Sequence, residues 1–510
     1  MNKLFQNKTY ICLFFILIFL TSTVVIAGPN DTVTVAIEYD VGTVDTMQVK
    51  TGNDLLTVNM HEALMRADPV TAEILPVFAE TVQVMPNGKD VAARIKKGHL
   101  FHNGDQVTAK DVKWTFEQAV APENAHLFAG LIEEIEEIEV VDNHNLVFHF
   151  YEKFAPWKLP LQIGICSKKY YETVGRDAFS TQPIGSGPLR FVSRDRGKNI
   201  IMEAYDGSAH KVNFKTLKLL VVKDPIAQVE MLESGKVDLI YNILPQHAKR
   251  LEKKKNIRIK KSSKTPSFFS MFISPMSYPI MKDSNFVRAI NHAIDRPALI
   301  EKVFLGEGFP IYMYADRTEL GYDPNIKYSY SPDKARNLVK ASAYKQDDIL
   351  ILTYNTGVPN AVIIATVIQK YLKDVGVEVK LQELDYDTFA TYIRNKDRRA
   401  GHMAMYAWHG SGDPQIRLML SIMRDGIYST YSDRPSQDIL DKLILAQSRE
   451  TDETKRLAIL KKIHTIINNE PSSIQLFGLK QIYAMSDRID YTWANAQGYP
   501  LDLHRIKMVE

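Results

Sequence analysis

The stretch RIKKGHLFHNGDQVTAKDV, residues 94–112, contains the pattern that predicts the fold class. It starts at the end of a predicted strand, residues 90–95, which follows the turn sequence Pro86-Asn87-Gly88. It ends in a predicted helix that Thr108 caps and in which Asp111, three residues later, completes a capping-box pattern. A strand and a helix in succession are the repeating unit of an α/β protein.

Segments on both sides of this stretch continue the alternation. Residues 32–37 and 146–150 are rich in β-branched and aromatic residues, which predicts strands. Apolar residues recur at helical spacing over 286–294 and 361–375, and the alternation over 377–381 predicts a further strand. The sequence therefore predicts an α/β fold whose second half is richer in helices.

Length and composition are those of a multidomain globular protein. The chain has 510 residues, of which 45% are hydrophobic and 24% charged. At roughly 150 residues per domain, this length corresponds to about three domains. No low-complexity linker separates them in the sequence, so we expect the domain borders to lie inside a compact body.

The N-terminus has the pattern of a secretory signal peptide. Lys3 and Lys8 precede an apolar run at residues 11–20. Small residues then mark a cleavage site after Ala27, so the predicted signal peptide is residues 1–27. The alternative is a membrane anchor, but this run is shorter than the ~20 residues that span a bilayer. A bacterial lipoprotein would need Cys where Gly28 stands, so we expect a periplasmic protein without a lipid anchor.

Charge and cysteine content exclude several classes of protein. Loss of two lysines with the signal peptide leaves 61 of 63 basic residues against 60 acidic ones, a net charge of +1. This balance predicts no nucleic-acid partner, and the basic run at 253–261 is typical of a solvated turn. Cleavage also removes Cys12 and leaves Cys166, so no disulfide is expected within the mature chain.

No enzyme motif accounts for the sequence. His61-Glu62 lacks the second His of a zinc-protease helix, because Met65 stands at that place. The chain contains neither a Gly-x-Ser-x-Gly elbow nor a phosphate-binding P-loop. His409, Ser411 and Asp413 alternate in one short loop, and a catalytic triad is not built from such close neighbours. We therefore predict a non-enzymatic protein without a cofactor, with a secreted hydrolase as the remote alternative.

Five short segments occur in a fixed order along the chain. The first reads ILPVFAE and the last reads VRAINHAIDR; in full they are residues 74–80, 94–112, 183–188, 232–238 and 287–296. Each resembles a motif of the family-5 solute-binding proteins, the oligopeptide-, dipeptide- and nickel-binding receptors of ABC importers. The order of the segments extends the resemblance over nearly the whole mature chain.

The resemblance implies a two-lobed periplasmic-binding-protein clamp of type II, with the inserted subdomain of the peptide-binding class. It implies a discontinuous lobe I, a continuous lobe II and a hinge of two crossings near residues 264 and 483. The implied borders are 28–50, 182–264 and 484–510 for lobe I, 51–181 for its inserted subdomain and 265–483 for lobe II.

The best candidate for a binding loop is YAWHGSGDP, from Tyr406 to Pro414, which follows an apolar run. Gly410 and Gly412 allow a backbone to approach a ligand closely, and Trp408 offers a flat apolar wall. The loop resembles the cleft loop of the family, and the alternative is that Trp408 belongs to the core. We predict that the loop binds the ligand.

One position in this loop departs from the peptide receptors. Those relatives have an Asp three residues after the Trp, where it pairs with the ammonium group of the peptide, and Ser411 stands there in this chain. A neutral hydroxyl does not replace an ionic partner. Asp413 precedes a proline and resembles the structural Asp-Pro of the family, although it is also a candidate ligand contact.

Family analogy adds further candidate contacts and leaves the ligand open. Tyr39 and Thr43, after the first strand, and Tyr483, near a crossing, are expected to flank the ligand. His409 is a weak candidate metal ligand, because a closed metal site needs several ligands. The resemblance implies a monomeric receptor for a peptide or peptide-like solute, or alternatively a metal chelate, which serves a membrane permease with a separate ATPase.

Overall fold

The computed structural model describes residues 31–48, 54–68, 71, 73–124, 126, 128–262, 267–355, 358, 360–409, 412–492 and 501–509. The predicted signal peptide lies outside these residues. Within them, no helix has both the length and the apolar character needed to cross a membrane.

The strands of the described residues are short and follow the predicted alternation. In chain order they are β1 (Thr32–Ile37), β2 (Met65–Ala67), β3 (Ile74–Pro76), β4 (Ala79–Val84), β5 (Val91–Ile95), β6 (Ile135–Val140), β7 (Asn145–Phe150), β8 (Leu189–Asp195), β9 (Asn199–Ala204), β10 (Thr216–Val221), β11 (Leu239–Ile240), β12 (Ile257–Ser262), β13 (Ser267–Ile273), β14 (Gly308–Pro310), β15 (Leu350–Asn355), β16 (Val379–Leu384), β17 (Met403–His409), β18 (Ser473–Leu479), β19 (Gln481–Ser486), β20 (Ile489–Asp490) and β21 (Lys507–Met508).

The helices of the described residues are more frequent in the second half, as the sequence predicts. They are α1 (Asp54–Met60), α2 (Ala109–Ala119), α3 (Ala129–Ile132), α4 (Lys168–Thr181), α5 (Pro225–Glu233), α6 (Pro245–Leu251), α7 (Ser284–Ala293), α8 (Arg296–Phe304), α9 (Pro332–Lys340), α10 (Ala361–Lys373), α11 (Tyr386–Arg394), α12 (Gln415–Ser421), α13 (Gln437–Arg449) and α14 (Glu453–Asn469).

Two mixed sheets form the two lobes. The large sheet of lobe I has the order β12-β19-β11-β1-β10-β9-β8, and the sheet of lobe II has the order β14-β18-β13-β17-β15-β16. Along β13, Phe269 and Met271 join the core on one face while Phe268 and Phe272 join the core on the other. Helices cover both faces of this sheet, which gives the α/β fold that the sequence predicts.

The inserted subdomain contains a separate four-stranded antiparallel sheet, in the order β4-β5-β7-β6. Helix α2 packs its apolar face on it through Val112 and Phe116. The predicted capping pair is confirmed, because the Asp111 carboxylate accepts hydrogen bonds from the Thr108 N–H at 2.9 Å and from its hydroxyl at 2.7 Å. This pair satisfies backbone groups at the start of α2.

The glycines of Gly185-Ser186-Gly187 allow two backbones to approach. A Cβ atom on Gly185 would lie 1.9 Å from the Met60 carbonyl oxygen, and the Gly187 N–H donates to the same oxygen at 2.7 Å. These glycines are therefore structural, as expected from their place in a tight turn.

The chain changes lobes at two crossings. The first lies between Ser262, at the end of β12, and Ser267, at the start of β13. The second is Lys480, which separates β18 from β19. The expected border at residue 483 thus falls inside a strand of lobe I, because β19 begins immediately after the crossing and pairs from Gln481 onward with β12.

Glu307 joins the two crossings. Its carboxylate accepts hydrogen bonds from the ammonium groups of Lys261 at 2.7 Å and Lys480 at 2.9 Å. Its carbonyl oxygen also accepts from the Lys480 N–H at 3.1 Å. Both ion pairs lower the pKa of Glu307, although burial alone raises it.

Candidate functional site

The edge of the large sheet that faces lobe II is formed by strand ends. Strand β1 is parallel to β10 and β11, so their carboxyl ends lie at one edge. At the same edge Ser262, the last residue of β12, pairs with Gln481, the first residue of β19. Both crossings therefore leave the large sheet beside the carboxyl ends of its parallel strands.

The sheet of lobe II presents the matching edge. Strand β17 ends opposite the start of β13, where Trp408 pairs with Phe268 and His409 pairs with Ser267. Strand β15 is parallel to both β16 and β17 and ends at this edge as well. Each lobe thus directs the carboxyl ends of parallel strands toward the other lobe, which is where open α/β sheets bind ligands.

Trp408 and Tyr406 lie two residues apart on the same face of β17, in different surroundings. Trp408 is half-buried, and its ring makes an edge-to-face contact with Tyr428 at a centroid distance of 6.3 Å. Tyr406 is 6% exposed and stacks on Phe272 at 3.6 Å. Burial raises the pKa of Tyr406 well above its usual range. Tyr406 is therefore a core residue, which corrects the prediction that it contacts ligand.

The middle of the predicted binding loop is not described. Gly410 and Ser411 lie outside the described residues, and of His409 only the backbone is described. Gly412 has a φ of 73°, which glycine adopts readily, and its carbonyl oxygen accepts from the Leu320 N–H at 3.0 Å. Among the described residues, no three His, Cys, Asp or Glu side chains are grouped as a metal site would require.

Asp413 anchors the end of this loop. Its carboxylate accepts two hydrogen bonds from the Arg456 guanidinium, at 2.7 and 2.9 Å, and one from the Gln415 N–H at 2.9 Å. Arg456 also donates to the side-chain oxygen of Gln447 at 2.9 and 3.0 Å. Such two-pronged pairing fixes geometry. It favours the structural role for Asp413 over ligand contact.

A second charged group lies beneath the loop. Arg417 pairs with Glu319, and each side chain is 2% exposed. Nearby, burial and the charge of Glu319 raise the pKa of Asp316 to about 7. Sequence reasoning missed this group, because its members belong to no motif and are brought together only by the fold.

The loop after β1 lies at the edge of the large sheet that faces lobe II. Tyr39 is 54% exposed, and Thr43 is half-buried with its hydroxyl accepting from the Asp45 N–H at 3.0 Å. Asp40 pairs with Arg194 at 2.7 and 3.1 Å and also accepts from the Gly197 N–H at 2.8 Å. The β8–β9 hairpin therefore holds this loop in place.

Tyr483 does not line the cleft. Its ring is 2% exposed, belongs to the lobe I core and contacts Tyr491 edge-to-face at 6.0 Å. This placement corrects the prediction that the ring flanks the ligand. The reason is the position of the second crossing at Lys480, which puts residue 483 inside a central strand.

The lobes also contact each other away from the crossings in the chain. Arg449 of α13 pairs with Glu134 at 2.8 Å and with Glu152 at 2.9 Å, both in the inserted subdomain. The Ala155 N–H donates to the Ser448 carbonyl oxygen at 2.7 Å. We call these contacts the latch; they hold the two sides of the cleft together in this structure.

The chain is similar to known proteins in sequence and in structure. The model of the bacterial extracellular solute-binding proteins, family 5, matches residues 73–426. The dipeptide-binding protein of Escherichia coli is 22% identical over 493 residues, with 88% of each chain covered. The oligopeptide-binding protein AppA of Bacillus subtilis is 25% identical over 61% of each chain.

Two solved structures share the fold. The periplasmic binding protein DppA of Helicobacter pylori, in complex with the peptide STSA, has a TM-score of 0.81 at 20% identity, covering 94% of this chain and 98% of its own. NikZ of Campylobacter jejuni, in complex with Ni(L-His), has a TM-score of 0.83 at 17% identity, covering 94% and 100%.

Proposed function

Because the chain belongs to the family-5 bacterial extracellular solute-binding proteins, we propose that it captures a peptide or peptide-like solute by lobe closure. In this role it delivers the solute to an inner-membrane ABC permease with a separate ATPase and catalyses no reaction itself. The relatives named as dipeptide- and oligopeptide-binding proteins support this ligand class.

The arrangement of the two sheets is the main support for lobe closure. Two sheets direct the carboxyl ends of their parallel strands toward each other, and the described chain passes between them only beside those ends. A hinge at this place lets both rims close on one ligand, and ligand contacts with both rims then favour the closed state. Backbone groups at the strand ends suit an extended ligand with little side-chain selectivity.

Export, monomeric state and the second candidate ligand are further parts of the proposal. Residues 1–27 direct export and are removed, and the mature protein acts as a monomer in the periplasm without a lipid anchor. A metal chelate is the second candidate ligand, supported by His409 at the end of β17 and by the fold shared with NikZ. Dependence of binding on added nickel distinguishes this candidate from a peptide.

Solution scattering tests lobe closure. The probe is an equimolar pool of short synthetic peptides. Each peptide is present in two forms, one with a free N-terminus and one with an acetylated N-terminus. We expect the radius of gyration to be larger without the pool and to fall when the pool is added, because ligand contacts stabilise the closed state. Equal radii at saturating pool concentration would contradict the proposal.

Two variants distinguish the contribution of the cleft to binding from the contribution of the latch to lobe closure. Trp408→Ala removes an apolar wall and is expected to weaken binding of the pool by roughly 1–3 kcal/mol while the lobe stays folded. Arg449→Gln removes the latch ion pairs and is expected to enlarge the ligand-free radius without abolishing binding. If Trp408→Ala instead destabilises the protein by about 3–5 kcal/mol, the ring belongs to the core.

A further inference from the structure

Glu38 occupies a particular place at the rim of lobe I. It follows Ile37, the last residue of β1, and the Ile37 carbonyl oxygen accepts from the Val222 N–H at 2.9 Å, which continues the pairing of β1 with β10. Glu38 thus lies at the edge from which both crossings leave for lobe II. Its side chain starts at this edge, directly after the end of β1.

The carboxyl group of Glu38 is partly surrounded by protein although its side chain reaches solvent. The side chain is exposed to solvent, and yet burial raises the pKa of its carboxyl group, with a hydrogen bond from the Tyr39 hydroxyl opposing the shift. Water reaches such a group while protein surrounds it on several sides. A carboxylate in this position is poorly solvated and gains from a positively charged partner.

Glu38 differs from its acidic neighbours in charge pairing. Asp40 is paired with Arg194, and Asp45 is paired with Arg176 at 2.8 Å. On the opposite rim Asp413 is paired with Arg456. Among the described residues no Lys, Arg or His forms an ion pair with Glu38, which distinguishes it from these three acids.

The backbone that carries Glu38 is held firmly. Asp40, two residues later, accepts hydrogen bonds from the Arg194 guanidinium and from the Gly197 N–H, and Arg194 also donates to the Val41 carbonyl oxygen. The carboxylate is therefore positioned before a ligand arrives, which lowers the entropic cost of using it.

We propose that Glu38 is the anionic partner of a positively charged group, an ammonium or a guanidinium, on the ligand. This inference rests on the proposed function and specifies its ligand class. A hydrogen bond between two charged groups is stronger than one between neutral groups.

Native mass spectrometry with the same peptide pool tests the inference. The wild-type protein is expected to retain peptides with a free N-terminal ammonium or a lysine in preference to acetylated, lysine-free peptides. Glu38→Gln keeps the size and hydrogen-bonding capacity of the side chain but removes the charge. Its affinity for the positively charged peptides is expected to fall about tenfold or more, and its affinity for the neutral peptides to remain.

Glu117→Gln is the matched control, because Glu117 is an exposed glutamate on α2 without an ion pair among the described residues. It is expected to bind as the wild type does. If Glu38→Gln retains the wild-type preference, the inference is wrong while the proposed function stands. If the wild type retains no peptide at all, the peptide ligand class and the role of Glu38 are both wrong.

Discussion

The two loops that face each other across the cleft are anchored by different means. The loop of lobe II ends on Asp413–Arg456 and lies over Arg417–Glu319, a pair whose members are each 2% exposed. The loop of lobe I is held by Asp40–Arg194, whose members are 18% and 11% exposed, on the β8–β9 hairpin. The two direct anchors are similarly exposed, since Arg456 and Asp413 are 7% and 19% exposed, so the difference lies in the fully buried pair beneath the lobe II loop.

This difference predicts which changes alter the stability of the fold and which alter ligand binding. Changes beneath the lobe II loop are expected to destabilise the whole lobe, because a buried charge that loses its partner is costly. Changes beneath the lobe I loop are expected to leave the fold nearly intact and to alter binding.

The largest effect is expected from Arg417→Met. The variant leaves Glu319 buried without its partner, and we expect a loss of about 3–5 kcal/mol in the free energy of unfolding. Urea denaturation at neutral pH measures it. The double variant Arg417→Met/Glu319→Leu removes both charges and is expected to recover most of the loss. A double variant as unstable as the single one would show that packing, and not charge, explains the effect.

A smaller effect is expected from Asp316→Asn, and it depends on pH. Burial raises the folded-state pKa of Asp316 to about 7, above its unfolded value, so the folded state binds a proton more tightly than the unfolded state. The stability that this group contributes is present below its unfolded pKa and is lost as pH rises through about 7. We expect Asp316→Asn to stabilise the protein by roughly 1–3 kcal/mol at pH 8.

The comparison of pH 5 with pH 8 decides the origin of that effect. Asparagine can still accept the hydrogen bonds that the Thr318 N–H and hydroxyl donate to Asp316, at 2.7 and 2.6 Å. The gain at pH 8 is therefore expected to shrink at pH 5, where the wild-type carboxyl group is protonated. An equal gain at both values would mean that charge is not involved.

The smallest change in stability is expected from Arg194→Met in lobe I. The pair with Asp40 is partly solvated, so we expect a loss of about 1 kcal/mol or less in the free energy of unfolding. Binding of free-amine peptides is nevertheless expected to weaken, because the backbone that carries Glu38 loses its anchor.

Arg190→Met is the matched control for this variant. Arg190 lies on the same hairpin and pairs with Glu203 at 2.9 Å, but it does not contact the cleft loop. Calorimetry with a free-amine peptide should find wild-type affinity in the control. Weakened binding in both variants would assign the effect to the hairpin and not to the loop.

Local sequence patterns predicted the parts of this molecule that depend on neighbouring residues. Short-range spacing predicted the capping pair of Thr108 and Asp111, strand β1 and a helix over residues 361–375, which the structure shows at Ala361–Lys373. The order of the five motifs predicted the two-lobed fold, because it carries information about the whole chain.

Features that depend on distant residues could not be predicted in this way. Glu319 and Arg417 are 98 positions apart, and only the packing of lobe II brings them together. Tyr483 was misplaced because a crossing of one residue leaves no composition change to mark it. Glu38 has no motif of its own, and its distinction from Asp40 and Asp45 is visible only in which acids have an arginine within reach.

The shared carboxylate of Glu307 has a mechanical consequence. Bending one crossing alone would separate Glu307 from either Lys261 or Lys480, whereas rotation of the lobes about a line near Glu307 keeps both pairs. The shared carboxylate thus couples the two connections and favours rotation of the lobes about a single axis. Such a rotation would bring the two rims together in the same register each time they close.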